Sequence, residues 1–203
     1  LNEIIDYHLG IMNEIFNHPK HDVFDLVKQR FNRLRNFLKN NKSPNYSFVY
    51  DQVVSTGELV STTIITHFLN EKGIAAKWID ARECIQTDTS YRDANVDWAR
   101  TEKAIREKVS PDHFYITQGF IGSDDNNFTT TLGREGSDYT AAIFAYCLNG
   151  NSVTIWKDVP GVLNADPRHF ESTQLLHHIS YQEAIELAFY GASVIHPKTL
   201  QPL

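Results

Sequence analysis

The sequence predicts an α/β fold in which helices cover both faces of a mostly parallel central sheet, a three-layer α/β/α sandwich. Helical stripes of apolar residues alternate along the chain with short runs rich in β-branched and aromatic residues, and this alternation is typical of parallel sheets. The 203 residues, 41% hydrophobic and 12% aromatic, suffice for a sizeable core. No repeat, low-complexity tract or interdomain linker interrupts them, so we expect one body.

Residues 1–40 are predicted to be mostly helical. Their apolar residues recur at the spacing of one helix face. The two stripes are Ile4, Ile5, Leu9, Met12, Ile15 and Phe16, then Val23, Val27, Phe31, Leu34 and Leu38. The polar, proline-containing stretch 40–44 closes the second stripe.

Helices and strands alternate through the rest of the chain. The predicted helices are 58–71, 98–108 and 138–148, and the predicted strands are 74–79, 114–117 and 153–156. Gly73 is expected to cap the first of these helices. A last helix begins at Ser180, which has capping-box spacing to Glu183, and stops at Gly191.

Composition and charge exclude several classes of protein. The formal net charge of −6 argues against nucleic acid or an anionic membrane as the main partner. No apolar run approaches the roughly 20 residues that span a bilayer, and no signal-peptide pattern opens the chain, so we expect a cytoplasmic location. Cys84 and Cys147 lack metal-ligand spacing and are interpreted as reduced structural thiols. The nine histidines form no metal-like cluster, so no metal-ligating side chains are predicted.

Three polar loops that follow or precede predicted elements are the candidate ligand sites. Ligands of open parallel sheets collect at the carboxyl ends of the strands. The loops are 118–122, with two glycines; 129–138, directly ahead of a helix; and 157–161, with 166–168 shortly beyond.

The loop 129–138 carries the strongest physical argument. Glycines, hydroxyl groups and an arginine at a helix N-terminus present N–H donors and positive potential to an anion. Arg134 can hold a carboxylate in bidentate fashion. The alternative is that Ser137 or Asp138 caps the helix and that Arg134 belongs to a surface ion pair.

Other polar residues have an ordinary structural interpretation beside the functional one. Asp158 can orient a ribose hydroxyl or a metal-bound phosphate, but its loop is also a common turn sequence. The segment 166–168 can likewise be a turn with an exposed Arg168. Glu58 is expected at a helix start, where an acid is favoured electrostatically whatever its function.

The sequence contains no Gly-x-x-x-x-Gly-Lys-Ser/Thr loop and no protein-kinase catalytic loop. It does contain, in order, the segments 55–58 with Ser61, 87–88, 117–120, 130–138, 158–161, 166–168, 191–192 and 196–197. Together these segments resemble the aspartate kinases of the amino acid kinase family, over residues from about 49 to 203. The resemblance implies a carbamate-kinase-like fold and ATP-dependent phosphorylation of the aspartate side chain to 4-phospho-aspartate, the first step of lysine, threonine and methionine biosynthesis.

The resemblance also implies roles for individual residues. The aspartate site would comprise Glu58 for the amino group, Arg134 for the carboxylate, and Phe120, Ser137 and Asp138, with Arg134 and Asp138 as catalytic residues. The ATP site would comprise Lys157, Asp158, Arg168 and Ser193. Mg²⁺ would bridge the nucleotide phosphates, L-aspartate would be the substrate, and the full-length enzyme would be a homodimer.

The sequence departs from the commonest family pattern at three positions. Glu135 stands in place of a glycine, Lys157 in place of a threonine, and Ser193 in place of a nucleotide-contacting lysine. These departures concern the ATP contacts more than the substrate class. We hypothesise that Lys157 or Lys198 supplies the missing charge.

Residues 1–203 are expected to be a partial kinase catalytic domain. The family's Lys-Phe-Gly-Gly phosphate loop and its C-terminal regulatory domains are not in this sequence. We therefore expect these residues alone to be inactive, because the loop clamps the transition-state charge. The alternatives are another amino acid kinase and a non-catalytic nucleotide-binding or dimerisation fragment.

Overall fold

The computed structural model of the protein describes residues 1–16, 18, 21–191 and 194–203. These residues form helices and short strands in the alternating order that the sequence predicts, so the α/β class is confirmed. The helices are α1 (Asn2–Ile15), α2 (Asp22–Asn40), α3 (Tyr46–Glu71), α4 (Trp98–Lys108), α5 (Gly136–Cys147), α6 (Tyr181–Phe189) and α7 (Pro197–Leu200). The strands are β1 (Ala76–Trp78), β2 (Phe114–Ile116), β3 (Ile121–Ser123) and β4 (Thr129–Thr131), and a 3₁₀ turn spans Ala81–Glu83.

The first two helices pack on α3 and confirm the helical prediction for residues 1–40. Their apolar stripes meet in one cluster with two α3 residues. The cluster comprises Met12, Phe16, Val23, Phe24, Val27, Phe31, Val60 and Ile64. Burial of these side chains is the main stabilising contribution here, at roughly 1.5–3 kcal/mol for each large apolar side chain. α2 is thereby held against α3, the helix that carries Glu58.

α3 begins twelve residues earlier than the sequence predicts, so the expectation that Glu58 lies at a helix start is wrong. Asn45 is the N-cap, and its Oδ1 accepts a hydrogen bond of 3.1 Å from the N–H of Phe48. Glu58 therefore lies in the helix interior, far from the positive end of the helix dipole. The predicted end is confirmed, because Gly73 follows the C-cap with a φ of +82°.

The described strands form two small sheets. β1 and β2 pair in parallel, with Ala76 opposite Phe114 and Trp78 opposite Ile116, and α4 lies in the crossover between them. β3 and β4 form an antiparallel hairpin within the two glycine-rich loops, which the sequence analysis did not predict. The parallel pair confirms the predicted topology for the strands near 74–79 and 114–117.

The predicted strand over 153–156 is wrong. Its residues pair with no strand in the described part of the chain, and Trp156 is 91% exposed. A β-rich segment forms a strand only where a neighbouring strand accepts its backbone hydrogen bonds. Among the described strands β1 pairs with β2 and β3 with β4, and neither pairing includes this segment.

The last helices follow the predicted start and stop signals. α5 begins two residues before its predicted start. At α6, the Ser180 hydroxyl accepts from the N–H of Glu183 at 3.2 Å and the Glu183 carboxylate accepts from the N–H of Ser180 at 2.7 Å, which confirms the capping box. Gly191, with a φ of +106°, follows the helix end. Across residues 1–16, 18, 21–191 and 194–203, we find no helix whose length and apolar character suit a membrane span.

The two cysteines are buried free thiols, as predicted. Burial raises the pKa of Cys84 to about 12 and that of Cys147 to about 11, so both stay protonated at neutral pH. Within the described ranges, no group of three or more His, Cys, Asp or Glu side chains is placed to hold a metal ion.

Candidate functional site

The loop that follows β2 packs directly on the N-terminus of α5. A Cβ added at Gly119 would lie 2.7 Å from the Cβ of Ser137, and one added at Gly136 would lie 2.7 Å from the ring of Phe120. Only glycine permits these two approaches without displacing a neighbour. The structure therefore joins the first two predicted loops, 118–122 and 129–138, into one site.

Phe120 forms a fixed wall of this site. Its φ of +73° is uncommon for a residue with a side chain and is held by hydrogen bonds on both sides. Its N–H donates to the Thr140 hydroxyl at 3.0 Å, and its carbonyl accepts from the N–H of Leu132 at 2.8 Å. These bonds hold the backbone from which the aromatic ring projects.

Helix α3 is attached to the same loop through Gln118. The buried Gln118 amide donates to the Thr62 hydroxyl at 2.8 Å and accepts from the N–H of Ala81 at 2.8 Å. Thr62 in turn donates to the carbonyl of Glu58, one helical turn earlier, at 2.8 Å. Leu59 belongs to the apolar cluster against which Phe120 packs. These contacts hold the Glu58 turn of α3 beside the Phe120 loop.

The Glu58 carboxylate has no hydrogen bond or ion pair in the described part of the chain. Burial raises its pKa, because the charged form loses hydration without gaining a partner. A half-buried acid without a partner is a binding group for a cation. An ammonium group is one such cation.

The N-terminus of α5 is open to an anion. Its N-cap is Glu135, with a φ of +53° and no side-chain cap, so the alternative that Ser137 or Asp138 caps the helix is wrong. Arg134 is exposed and has no ion-pair partner in residues 1–16, 18, 21–191 or 194–203, so the surface ion-pair alternative is wrong as well. The Gly136 N–H donates to the Gly133 carbonyl at 3.1 Å, which leaves the N–H groups of Ser137 and Asp138 and the Arg134 guanidinium available to a carboxylate or phosphate.

Two of the three departures from the family pattern contact each other at this site. The Lys157 ammonium lies 2.6 Å from Asp138 and 3.7 Å from Glu135. Burial would lower the Lys157 pKa, but the Asp138 hydrogen bond and the charges of both acids outweigh it and raise the pKa. Lys157, predicted to serve the nucleotide, thus lies against the Asp138 carboxylate of the candidate substrate site.

The structure does not bring the remaining predicted nucleotide residues to this group. Asp158 is exposed, and Arg168 binds Asp166 through a short ion pair of 2.7 Å, which lowers the Asp166 pKa to about 2. This geometry agrees with the alternative that 166–168 is a turn with an exposed arginine. Ser193 lies outside the described residues.

Lys198, the other lysine proposed to supply charge, has partners of its own. Its ammonium donates to Asp93 at 2.6 Å and to the Leu132 carbonyl at 2.9 Å, and it lies 5.1 Å from the ring centroid of Tyr139. These contacts tie α7 to the loop that carries Arg134.

Sequence reasoning missed Asp51, which anchors the hairpin behind the site. Its carboxylate is fully buried and accepts from the N–H of Thr131 at 2.8 Å, the Thr131 hydroxyl at 2.9 Å and the N–H of Arg92 at 3.0 Å. Burial raises its pKa, and these hydrogen bonds oppose the increase. The available signal was an acid within an otherwise apolar stretch of α3.

Comparison with known proteins gives the family. The sequence profile of the amino acid kinase family matches residues 10–203. Lysine-sensitive aspartokinase 3 of Escherichia coli (strain K12) is 42% identical over 155 residues, which are 75% of this chain and 34% of that protein. A bifunctional aspartokinase/homoserine dehydrogenase of Buchnera aphidicola is 32% identical over 99% of this chain and 25% of its own length.

Solved structures give the same result. The chain is similar to E. coli aspartokinase III in complex with aspartate and ADP, with a TM-score of 0.88 and 34% identity over 98% of this chain and 46% of that one. It is also similar to the Clostridium acetobutylicum aspartate kinase, with a TM-score of 0.72 and 31% identity over 87% of this chain. The chain thus spans about a third of the first relative and under half of the first solved structures. By the extent of the profile match, it belongs to the amino acid kinase family.

Proposed function

We propose that the full-length protein is an aspartate kinase, which transfers the γ-phosphoryl group of ATP to the side-chain carboxylate of L-aspartate. One observation carries this proposal: α3 and the N-terminus of α5 both pack on the loop that follows β2. α3 carries Glu58, an acid without a partner, and the α5 N-terminus is uncapped and adjoins the unpaired Arg134. A zwitterionic amino acid offers the complementary charges. The relatives named aspartokinase, and a similar enzyme solved with aspartate and ADP, support this choice.

Each residue of the site has a chemical role in this proposal. Glu58 accepts hydrogen bonds from the aspartate ammonium, and Arg134 binds the α-carboxylate. Ser137 donates a hydrogen bond at the α5 N-terminus, and Phe120 excludes water from one side. Asp138, in the first turn of α5 and paired with Lys157, orients the ligand. Phosphoryl transfer to a carboxylate depends mainly on positioning and charge neutralisation, so these groups suit the reaction.

The charges on the third loop suit a nucleotide with Mg²⁺. Mg²⁺ bound to ATP commonly keeps waters and takes one or two carboxylates beside the phosphates, and Asp158 is exposed and without a partner in the described part of the chain. When bound, the ion would neutralise charge on the transferred phosphoryl group. Arg168 and Ser193 remain the proposed nucleotide contacts of this chain, whereas the contact of Lys157 with Asp138 moves the proposed role of Lys157 to the aspartate site.

The test is a coupled ADP-release assay on the full-length protein. Glu58→Gln and Arg134→Ala are each expected to lower kcat/KM for aspartate by on the order of 100-fold and to leave the KM for ATP within a few-fold, since each removes a charged partner of the substrate. Arg35→Ala, on the exposed face of α2, is the control and should act like wild type. Wild-type activity in both site variants would refute the assignment.

Thermal shift separates the alternatives. Aspartate that raises the Tm supports the kinase, because only ligands of the native state stabilise it. Protection by nucleotide alone would instead indicate a non-catalytic nucleotide-binding module. Protection by a different carboxylic acid and not by aspartate would indicate another amino acid kinase.

A further inference from the structure

A pocket of about 170 Å³ lies between α2, α3 and the β3–β4 hairpin, apart from the site described above. None of the residues assigned to aspartate or ATP lines it. Its ten lining residues include three arginines, Arg30 and Arg33 from α2 and Arg82 from the 3₁₀ turn, and no acid. A concentration of arginines in a concave site attracts anions, because their field lines converge there.

Arg30 lacks an acceptor. Its guanidinium lies 4.7 Å from the ring centroid of Trp78, and its Nε atom is buried without a hydrogen-bond partner in the described part of the chain. Arginine stays protonated in proteins, so it cannot relieve this deficit by losing its charge. A ligand oxygen in the pocket is the kind of acceptor that this arginine lacks.

The other two arginines differ in their partners. Arg33, nearly one turn beyond Arg30, is exposed and has no hydrogen bond or ion pair within the described ranges. Arg82 is bound by Asp80 at 2.6 and 2.9 Å, and it donates to the Thr129 hydroxyl at 3.2 Å. Asp80 thus balances one of the three positive charges, and two remain.

The rest of the lining suits a molecule with an organic body. The apolar part of the lining comprises Leu34 and Phe37 of α2 and Leu59 of α3. The hydroxyl of Thr56, a further lining residue, makes no hydrogen bond to any described residue. Charged donors beside an apolar wall fit a carboxylate on a short aliphatic chain better than a bare inorganic ion. The volume is below the roughly 300–1,000 Å³ of sites for drug-sized ligands, so the ligand is small.

We propose that this pocket binds a small aliphatic carboxylate, preferably a dicarboxylate, through Arg30 and Arg33. Arg82, held by Asp80, forms the floor of the site and keeps its orientation with or without the ligand. The binding is independent of the proposed kinase reaction. It would place a second anion site against α3, lined by none of the residues assigned to aspartate.

The test is calorimetric titration of glutarate into the full-length protein. Arg33→Gln is expected to weaken glutarate binding by about 10-fold or more, because it removes a charge that contacts the ligand. Since Arg33 is exposed and without a partner, this variant should fold normally. Arg30→Gln should weaken binding at least as much. Arg35→Gln removes the same charge from the same helix outside the pocket and should stay within about two-fold of wild type.

Four outcomes would overturn the proposal. These are no glutarate binding at millimolar concentration, an equal loss in Arg35→Gln, an equal loss in Arg134→Ala of the proposed aspartate site, and equally tight binding of neutral glutaramide. Inorganic phosphate that binds as tightly as glutarate and with the same dependence on Arg33 would contradict the assignment to an organic carboxylate. The proposal is supported if glutarate binds and if its binding is weakened by Arg30→Gln and Arg33→Gln but not by Arg35→Gln.

Discussion

At the scale of single residues, Glu58 carries an energetic cost that a substrate can relieve. Its pKa is raised by burial, so the folded state binds its proton more tightly than the unfolded state does. Tighter proton binding by Glu58 adds to the free energy of unfolding. This contribution is complete below the unfolded pKa of about 4.5 and is lost as the pH rises through the higher folded pKa. Above that value the folded protein carries an acid that is charged and without a partner.

This cost gives a pH-dependent prediction. Glu58→Gln should be more stable than wild type at pH 8, and the advantage should shrink toward pH 4.5, since the wild-type acid is protonated there. Urea unfolding of both proteins at several pH values measures the difference. Asp51 titrates in both proteins and cancels in the comparison. A stability difference that does not change with pH would show that the carboxylate is not desolvated.

Lys157 is the residue whose predicted role the structure changes most. Its contact at 2.6 Å is with Asp138 of the proposed aspartate site. Lys157→Ala should therefore raise the KM for aspartate more than the KM for ATP, because it leaves Asp138 and Glu135 without their shared cation. Lys103→Ala, which removes only an exposed ion pair with Glu107 at 4.0 Å, is the control and should change either constant little. The reverse order of KM changes would support the original nucleotide role.

At the scale of elements, the site depends on the close contact between the loop after β2 and α5. Gly119→Ala would place a Cβ within 2.7 Å of the Ser137 side chain and 2.8 Å of its backbone. We expect a loss of about 1–3 kcal/mol in the free energy of unfolding and weaker aspartate binding, because the loop must move away. Chemical denaturation and aspartate titration measure the two effects.

Gly10→Ala is the matched control for this substitution. Gly10 lies inside α1, where an added Cβ meets nothing within 4 Å. Alanine there should stabilise the protein by roughly 0.5–1 kcal/mol through helix propensity. Equal effects of the two substitutions would mean that the loop and α5 do not pack closely.

Some helices and strands could be predicted from the sequence and others could not. Local signals predicted the end of α3 at Gly73 and the capping box at Ser180 correctly, since both depend on neighbouring residues alone. The predicted start of α3 is wrong because the prediction did not include Asn45 as the N-cap. The strand over 153–156 failed because strand formation depends on a partner elsewhere in the chain. The β3–β4 hairpin was not predicted because its residues lie in two segments whose glycines indicated loops.

At the scale of the whole molecule, the ordered combination of segments was more informative than any single one. The loop 129–138 and the segments around Asp158 and Arg168 each had an ordinary structural alternative, and the structure removed that alternative at Ser137 and Asp138 but agreed with it at Arg168. The arginine pocket could not be predicted, because α2 and the 3₁₀ turn that supply its charges are some fifty residues apart. Such distant groups meet only through the packing of helices on the sheet.

The chain also presents aromatic side chains for contacts outside itself. Trp156, Phe189 and Tyr190 are 91%, 81% and 85% exposed. Exposed aromatic residues of this size are common where a protein contacts another surface. They are compatible with contacts to the remainder of a longer polypeptide or to a second subunit, and the homodimer stays a prediction.

The central claim is that Glu58 and Arg134 hold opposite ends of one aspartate molecule. The most direct test compares the binding of aspartate, succinate and β-alanine to full-length wild type, Glu58→Gln and Arg134→Ala by calorimetry. Succinate lacks the amino group and β-alanine lacks the α-carboxylate. We predict that wild type prefers aspartate over both by about 10-fold or more, since each analogue leaves a charged group without its partner.

The two variants should then lose different preferences. Glu58→Gln should lose its preference for aspartate over succinate and keep the one over β-alanine, and Arg134→Ala should show the opposite pattern. If both variants weaken all three ligands equally, or if neither changes any preference, the two side chains do not share a ligand and the proposed site is wrong.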